Sequence, residues 1–345
     1  MVVRWMPCVV ASRDVAGDLA VVVGHPLVDE YLEFCRSRAR PNTVLAVAFD
    51  LKVFFSVVGK SPVRVTSADV MSFIRAQRVS GSTVVRLDRQ GAGLSPRTIR
   101  RRLSSVSGFY AYVLARGGTS VTRNPVPTGL ITRRERSRPK QGVPLVRTAK
   151  TLPRVLSAAE VNALVGALRT ERDRAMVQAM LLGGLRRCEV LGLRFSDLRL
   201  ADRRVFIADG KGGRQRLIPI SERFFVAVSS YLTLERPADA TTDRVFIVLK
   251  GPNRGHPLTG RGLDEIMRGA RRRAGLERGS CHELRHTCLT RLREAGMSLE
   301  ALQAQAGHAS IETTRVYLHL ADDWLAEQYR RAADAIDAQV VRGVR

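Results

Sequence analysis

Apolar residues in the first third of the chain recur at intervals of three and four, the spacing of amphipathic helices. Four helix starts are marked by a capping side chain or by a proline at the first helical position. They lie at Pro26, Asn42, Thr66 and Ser95. The fourth helix is expected to end at Gly117-Gly118, because glycine favours helix C-termini. The pattern predicts an all-helical domain over residues 25–118, preceded by a leader of residues 1–24.

The helical periodicity stops between residues 119 and 155. This segment holds five prolines and many arginines and lysines, a composition that predicts an extended basic linker. A second segment without periodicity, residues 79–94, is rich in Ser, Gly and Arg and is predicted to be a loop.

Helical spacing resumes after residue 156 and is interrupted by one β-hairpin. A capping box at Ser157–Glu160 opens the first helix, and a longer helix runs from about residue 171 to Gly183-Gly184. Further helices are predicted over 188–191, 221–235, 261–274, a helical cluster over 282–318 and an amphipathic helix over 322–340, with hairpin strands over 203–207 and 214–220. We therefore expect a mainly α protein with a small antiparallel sheet (α+β). The second domain spans residues 156–320, followed by a C-terminal helix and tail of residues 321–345.

Charge adds a prediction about the partner. The chain has 57 Lys and Arg against 32 Asp and Glu, a formal net charge of +25. A surplus of that size would repel itself in a compact fold, so a polyanion is the expected partner. Four arginines lie within six residues at the start of the fourth predicted helix: Arg97, Arg100, Arg101 and Arg102. We expect them to bind DNA phosphates, although a solvated charged face would show the same pattern.

Cysteine usage and hydropathy indicate the compartment. The five cysteines are scattered, with no Cys-x-x-Cys pair and no histidine at metal-ligand spacing. They are expected to be reduced and mostly buried. No apolar run is expected to cross a membrane, so we predict a cytoplasmic protein associated with the nucleoid.

Candidate catalytic residues are concentrated between residues 282 and 317. The segment contains His282-Glu283-Leu284-Arg285-His286, then Gly307-His308, then Tyr317. A phenol with a pKa of roughly 10 needs a neighbouring base before it can attack, and His282 is the better candidate for that base. Guanidinium groups suit the charge that develops on the non-bridging oxygens of a phosphodiester. Tyr317 alone would be interpreted as a core aromatic residue, since Val316 and Leu318 flank it.

These motifs, with two others upstream, resemble those of the tyrosine recombinase (phage integrase) family. The upstream motifs are Gly184-Leu185-Arg186 followed by Glu189, and Gly210-Lys211-Gly212 in the predicted hairpin turn. The resemblance covers residues 156–320 as the catalytic domain and residues 25–118 as a helical, SAM-like core-binding domain. Arg187 replaces a usually apolar residue and Cys188 stands where Ser or Gly is commoner, but neither is a catalytic position.

The resemblance implies a catalytic set of six: Arg186, Lys211, His282, Arg285, His308 and Tyr317. Tyr317 is then the nucleophile and His282 the group that takes its proton. The two arginines and His308 hold the scissile phosphate, and Lys211 protonates the leaving 5′ oxygen. The 3′-phosphotyrosyl product conserves the bond energy, so no metal, ATP or other cofactor is expected. Glu189 is expected to orient Arg186, whereas His286 is expected to be structural.

Several functions remain open at this stage. The first is site-specific recombination of double-stranded DNA, in which a homotetramer acts on two recombination sites as the integrase or transposase of a mobile element. The leader, the 79–94 loop and the long linker favour that role over a chromosome-dimer-resolving, Xer-like recombinase. A type IB topoisomerase-like enzyme or a purely DNA-binding protein on the same scaffold are further alternatives. The terminal helix either packs on its own domain or docks on a neighbouring subunit.

Overall fold

The computed structural model describes residues 5–13, 18–78, 93–127, 145–147, 154–208, 210, 215–308, 310–314 and 330. The chain divides into two compact units, Met1–Lys150 and Thr151–Arg345. Their boundary falls within the predicted linker. The predicted helix over 322–340, most of the predicted 79–94 loop and most of the hairpin turn lie outside the described residues.

The described part of the first unit contains four α-helices: α1 Pro26–Arg36, α2 Pro41–Val58, α3 Ser67–Arg78 and α4 Pro96–Arg116. A short 3-10 helix lies at Pro62–Arg64. The predicted helix starts are confirmed to within one residue, and the caps explain why. The Ser95 hydroxyl accepts a hydrogen bond from the Thr98 N–H at 3.3 Å, and the Asp69 carboxylate accepts from the Thr66 N–H at 2.9 Å. These side chains satisfy N–H groups that have no partner within the helix.

Aromatic side chains fill the core of the first unit. Phe54 and Phe55 of α2, Phe73 of α3 and Phe109 of α4 are all 1% exposed or less. Helix α2 is long and apolar enough to cross a membrane by length and composition alone. Its buried face packs within this aromatic cluster, as is usual for the central helix of a folded domain.

The first unit also extends beyond the predicted helical domain of residues 25–118. Strands β1 (Val10–Arg13) and β2 (Leu19–Val22) form an antiparallel hairpin within the predicted leader. Val23, directly after β2, is fully buried in the same core as the helices. Its N–H donates to the Asp29 carboxylate of α1 at 2.5 Å. Val126 and Val146 from the predicted linker are buried in this core too, so parts of both flanking segments belong to the domain.

The second unit contains eight described α-helices and a three-stranded sheet. The helices are α5 Ala158–Gly166, α6 Glu171–Gly183, α7 Arg187–Gly192, α8 Glu222–Leu234, α9 Gly260–Arg273, α10 Cys281–Glu294, α11 Leu299–Ala306 and α12 Ile311–Thr314. The strands are β3 Leu198–Arg199, β4 Arg204–Ile207 and β5 Arg216–Pro219, antiparallel in the order β3-β4-β5. The predicted α+β class is confirmed.

Helix α6 is the centre of the second unit and positions the site. It packs on α8 and α10, and Met176, Val177 and Met180 are fully buried. It ends at Gly184, whose φ of 66° is left-handed. Glycine adopts this conformation without strain, and the turn brings the next residue, Leu185, into the core.

The cysteines differ from the prediction that they are mostly buried. All five are free thiols, but only Cys288 is buried, while Cys8 and Cys188 are exposed. Cys188 lies in the first turn of α7, next to Arg187, which is also exposed. The rotation of α7 places Cys188 on the same exposed face as its neighbour Arg187.

Candidate active site

Arg186 is held in place by the first turn of α7. It directly precedes this helix, and its N–H donates to Glu189 Oε2 at 2.9 Å. Its guanidinium donates to Glu189 Oε1 at 2.6 Å and to the Gly307 carbonyl at 3.2 Å. The side chain is 19% exposed, so it borders solvent while fixed at two points. This geometry agrees with the expectation that Glu189 orients Arg186.

Glu189 also binds a second arginine, Arg216, which the sequence analysis did not identify. The Glu189 side chain is fully buried, and both of its oxygens accept from the Arg216 guanidinium, at 3.0 and 2.8 Å. Burial raises the pKa of Glu189, but the hydrogen bonds from Arg216 and from the Arg186 N–H outweigh it and hold the pKa at about 2. The carboxylate is therefore ionised throughout the physiological range.

Strand alternation contains the signal that identifies Arg216. Successive strand residues point to opposite faces of a sheet. Ile218 is buried and Leu217 is exposed, so Arg216 lies on the inner face with Ile218.

The buried guanidinium of Arg285 binds main-chain carbonyl groups at the ends of two helices. Arg285 lies on the inward face of α10 and is 3% exposed. Its guanidinium donates to the carbonyl of Gly184, directly after α6, and to that of Ala306, the last residue of α11, the latter at 2.6 Å. Its Nη1 lies 4.0 Å from Glu189 Oε2. Helix C-termini carry a partial negative charge that favours a cation.

His308 directly follows the Gly307 turn that ends α11. Its Nε2 lies 3.2 Å from Arg285 Nη2, and its Nδ1 lies 3.0 Å from Thr314 Oγ1. Because a guanidinium can only donate, Nε2 accepts and Nδ1 carries the proton. Burial, followed by the charges of Arg285 and Arg186, lowers the pKa of His308 to about 4. The imidazole is therefore neutral at pH 7.

His282 and His286 form a pair on the first two turns of α10. Their Nε2 atoms are 2.8 Å apart and the rings meet edge to face, with centroids 4.2 Å apart. Burial, followed by the neighbouring His282 and Arg285, lowers the pKa of His286 to about 4. His286, which the sequence analysis assigned a structural role, is thus a neutral hydrogen-bond partner of the exposed His282.

The structure brings together four of the six predicted catalytic residues. His308 contacts Arg285, and Arg186 and Arg285 both approach the Glu189 carboxylate. His282 lies one turn before Arg285 on α10. Lys211 and Tyr317 lie outside the described residues, so their catalytic roles remain predictions.

The arginines at the start of α4 divide into two groups. Arg97 and Arg100 are exposed, in agreement with a surface role. Arg101 is half-exposed but forms an ion pair with Asp50 at 2.6 Å. Arg102 is 7% exposed and donates to Gln77. This burial in the domain core does not support a role in DNA binding, and that role stays a prediction.

The site has a marked excess of positive charge. Among the described residues, three guanidinium groups surround one carboxylate, that of Glu189, while His286 and His308 are neutral at pH 7. A partly buried cluster with two net positive charges attracts an anion, and guanidinium geometry suits the oxygens of a phosphate. Two further arginines near the site, Arg187 and Arg194, form surface ion pairs with Asp264 and Asp243.

Comparison with known proteins identifies the family. The model of the phage integrase family matches residues 154–323. Tyrosine recombinase XerD of Caulobacter vibrioides is 36% identical over 245 residues, which cover 68% of this chain and 74% of the relative. The chain belongs to the tyrosine recombinase family. It is therefore a tyrosine-type DNA strand transferase, as its motifs predicted.

Other relatives extend the similarity to nearly full length. Tyrosine recombinase XerD of Listeria innocua is 28% identical over 323 residues, which cover 88% of this recombinase and 97% of the relative. Among solved structures, the Tn1549 transposon integrase in complex with transposon right end DNA has a TM-score of 0.65 at 20% identity. The match covers 89% of this chain and 98% of the integrase chain. XerH recombinase bound to difH substrate after cleavage has a TM-score of 0.63 at 20% identity, covering 87% and 82%. These structures share the fold.

Proposed function

We propose that this tyrosine recombinase is site-specific and joins double-stranded DNA through a 3′-phosphotyrosyl link formed by Tyr317. The observation that carries the proposal is the cluster of Arg186, Arg216 and Arg285 around one buried carboxylate. Its excess charge suits a scissile phosphodiester. Preorganised donors of this kind stabilise the charge that develops in the transition state.

The chemistry follows from the groups at the site. The Tyr317 oxygen forms a bond to phosphorus while the bond from phosphorus to the 5′ oxygen breaks, and no electrons are exchanged with another reagent. His282 takes the phenol proton, and Lys211 gives a proton to the leaving oxygen. Strand joining is the reverse displacement by another 5′-hydroxyl group.

The neutral state of His286 supports the assignment of His282 as the base. A neutral imidazole beside His282 adds no positive charge that would oppose proton uptake, and its ring nitrogen fixes the orientation of the His282 ring.

The proposed biological role is that of an integrase or transposase of a mobile element, acting in the cytoplasm on the nucleoid. The structural likeness to a transposon integrase supports it, as do the hairpin at residues 10–22 and the length of the linker predicted over residues 119–155. A Xer-like role in resolving chromosome dimers is the second candidate. The similarity to XerC and XerD recombinases favours this role, because the matched region covers 97% of the length of each of two such relatives.

Trapping of the covalent adduct tests the chemistry and finds the DNA site. The tagged full chain is expressed in cells that carry its native DNA, denatured adducts are purified, and the attached 3′ ends are sequenced. Ends at the junction of a circularised element support the mobile-element role, whereas one chromosomal locus without an adjoining element supports the Xer-like role. Nicked duplexes of that sequence should then trap adduct with the wild type and with the control Tyr112→Phe, but not with Tyr317→Phe. An adduct formed by Tyr317→Phe contradicts the nucleophile assignment.

The proposed assembly is a homotetramer that holds two recombination sites. The solved lambda integrase dimer bound to a COC′ core site supports multimeric action on DNA. Mass photometry on the identified site is expected to show four protomers with two duplexes.

If the terminal helix docks on a neighbour, removal of residues 322–345 preserves cleavage of a nicked substrate and lowers strand exchange. Unchanged exchange after the deletion would favour packing of the helix on its own domain.

A further inference from the structure

Arg216 occupies a position between the phosphate-binding residues and the sheet. It opens β5, and its fork holds both oxygens of the buried Glu189 carboxylate, at 3.0 and 2.8 Å. Its Nε donates to the carbonyl of Gln305 in α11 at 3.2 Å. The side chain is 11% exposed. One guanidinium thus joins three elements: the sheet, the start of α7 and the end of α11.

The pairing of charges gives Arg216 an electrostatic role. Glu189 also accepts from Arg186 at 2.6 Å. If these two residues formed an isolated buried pair, the carboxylate would cancel the charge that Arg186 offers to a phosphate. Arg216 binds the same carboxylate through both oxygens, so two guanidinium groups share one negative charge. The pair of arginines therefore keeps one net positive charge beside Arg186.

Close packing against Gly307 supports a second effect of the same side chain. A Cβ at Gly307 would lie 2.9 Å from Arg216 Nη1 and 3.0 Å from Arg216 Cζ. The backbone of Gly307 thus passes directly over the guanidinium. The Gly307 carbonyl accepts from Arg186 at 3.2 Å, and the next residue is His308. Arg216 therefore supports both Arg186 and the turn that orients His308.

We propose that Arg216 is a positioning residue that neutralises Glu189 and so leaves the charge of Arg186 for the scissile phosphate. This inference rests on the proposed phosphotyrosyl chemistry. Arg216 itself does not touch the reacting atoms; it acts through Glu189, Arg186 and the Gly307 turn.

The first test compares two substrates that differ in charge at the scissile position. Nicked duplexes carry either an ordinary phosphodiester or a methylphosphonate, which has no negative charge. Arg216→Met is expected to cleave the phosphodiester roughly 100-fold more slowly than the wild type, the size of effect that misplacement of catalytic groups produces. On the methylphosphonate the defect should shrink to a few fold, because a neutral centre needs less cationic stabilisation. Arg254→Met, which removes an exposed arginine paired with Asp239, is the matched control and should cleave both substrates normally.

The second test removes the carboxylate that Arg216 neutralises. Glu189→Gln introduced into Arg216→Met should restore part of the lost phosphodiester cleavage, because Arg186 no longer has a carboxylate competing for its charge. A residue that only stabilises the fold would make the double variant slower than the single one. Arg216→Lys, which keeps the charge without the fork, should lose less activity than Arg216→Met.

The outcomes separate the two proposals. If the wild type forms no adduct with the phosphodiester, the proposed function fails. If the wild type forms adduct but Arg216→Met is equally slow on both substrates, and Glu189→Gln restores nothing, the inference about Arg216 is wrong while the function stands. Normal phosphodiester cleavage by Arg216→Met would also overturn it.

Discussion

Substitution of Glu189 by glutamine removes a carboxylate that is shared by three buried or half-buried guanidinium groups. The side chain keeps its size, so the change is mainly one of charge. The pKa of Glu189 lies at about 2 in the folded chain against an ordinary value of 4.5. The folded environment therefore favours the ionised form by about 3 kcal/mol, since one pKa unit is about 1.4 kcal/mol. The loss of one partner from a buried ion pair gives a similar figure of about 3–5 kcal/mol.

We expect Glu189→Gln to lower the unfolding free energy of the second domain by about 3 kcal/mol at pH 7. Urea unfolding of the full chain, followed by hydrogen exchange of peptides from α6 and α7, measures this domain separately from the first. Glu222→Gln is a suitable control because Glu222 pairs with Arg203 while both side chains are more than 60% exposed. Such surface pairs contribute about 0–1 kcal/mol.

The pH dependence of the difference is the stricter test. A depressed carboxyl pKa contributes stability that is complete above the unfolded value of 4.5 and is lost as the pH falls towards 2. The difference between wild type and variant should thus be constant above about pH 5 and smaller by about 1.4 kcal/mol at about pH 3.5. An equal difference at both pH values, or none at pH 7, would refute the electrostatic account of this cluster.

Three further predictions follow from individual residues. Gly307→Ala should destabilise the second domain by about 1–2 kcal/mol and slow cleavage, because Gly307 has a φ of 61° and the new Cβ would lie 2.9 Å from a guanidinium nitrogen. The control Gly296→Ala has a φ of 96° and open space around it, so it should destabilise the domain without slowing cleavage. The pKa values of His286 and His308 lie at about 4 against 6.5 in the unfolded chain. Because the unfolded state then binds more protons, the unfolding free energy should fall as the pH falls from 6.5 to 4. The same dependence of unfolding free energy on pH in His308→Gln would contradict this. Arg102→Met should destabilise the first domain by about 3 kcal/mol in urea unfolding, because it removes a buried partner of Asp50. Unchanged unfolding with weaker DNA affinity would instead support the predicted role in DNA binding.

Much of the fold could be predicted because its signals are local. Helix starts depend on a capping side chain and its neighbours three residues later, as at Ser95 and Ser157, and both caps are present in the structure. The hairpin at residues 10–22 was missed because its stability comes from burial of Val21 and Val23 against distant helices. That contact has no local signature in the sequence.

The site was predicted where motifs carry the chemistry and missed where a residue acts through others. The buried position of Arg102 was not predicted, because the run of four arginines indicated a charged surface. Arg102 follows the buried Ile99 by three residues and precedes the buried Val106 by four, so helical spacing places it on the inner face. Arg216 was missed although strand alternation places it inward beside Ile218. In both cases the periodicity of the element was a better guide than residue type.

The carbonyl groups around Arg285 have a consequence for the reach of its charge. Dipoles at the ends of α6 and α11 solvate this guanidinium as water would, but a dipole stabilises a monopole without cancelling it. The Glu189 carboxylate lies 4.0 Å from Arg285 Nη1, and its oxygens already accept hydrogen bonds from Arg186 and Arg216. If it bound Arg285 in place of the carbonyl groups, the pair would form a local dipole, whose field falls off steeply with distance. Solvation by backbone therefore lets Arg285 keep a full unit of charge in a nearly dry environment, where its attraction for an approaching phosphate is weakly screened.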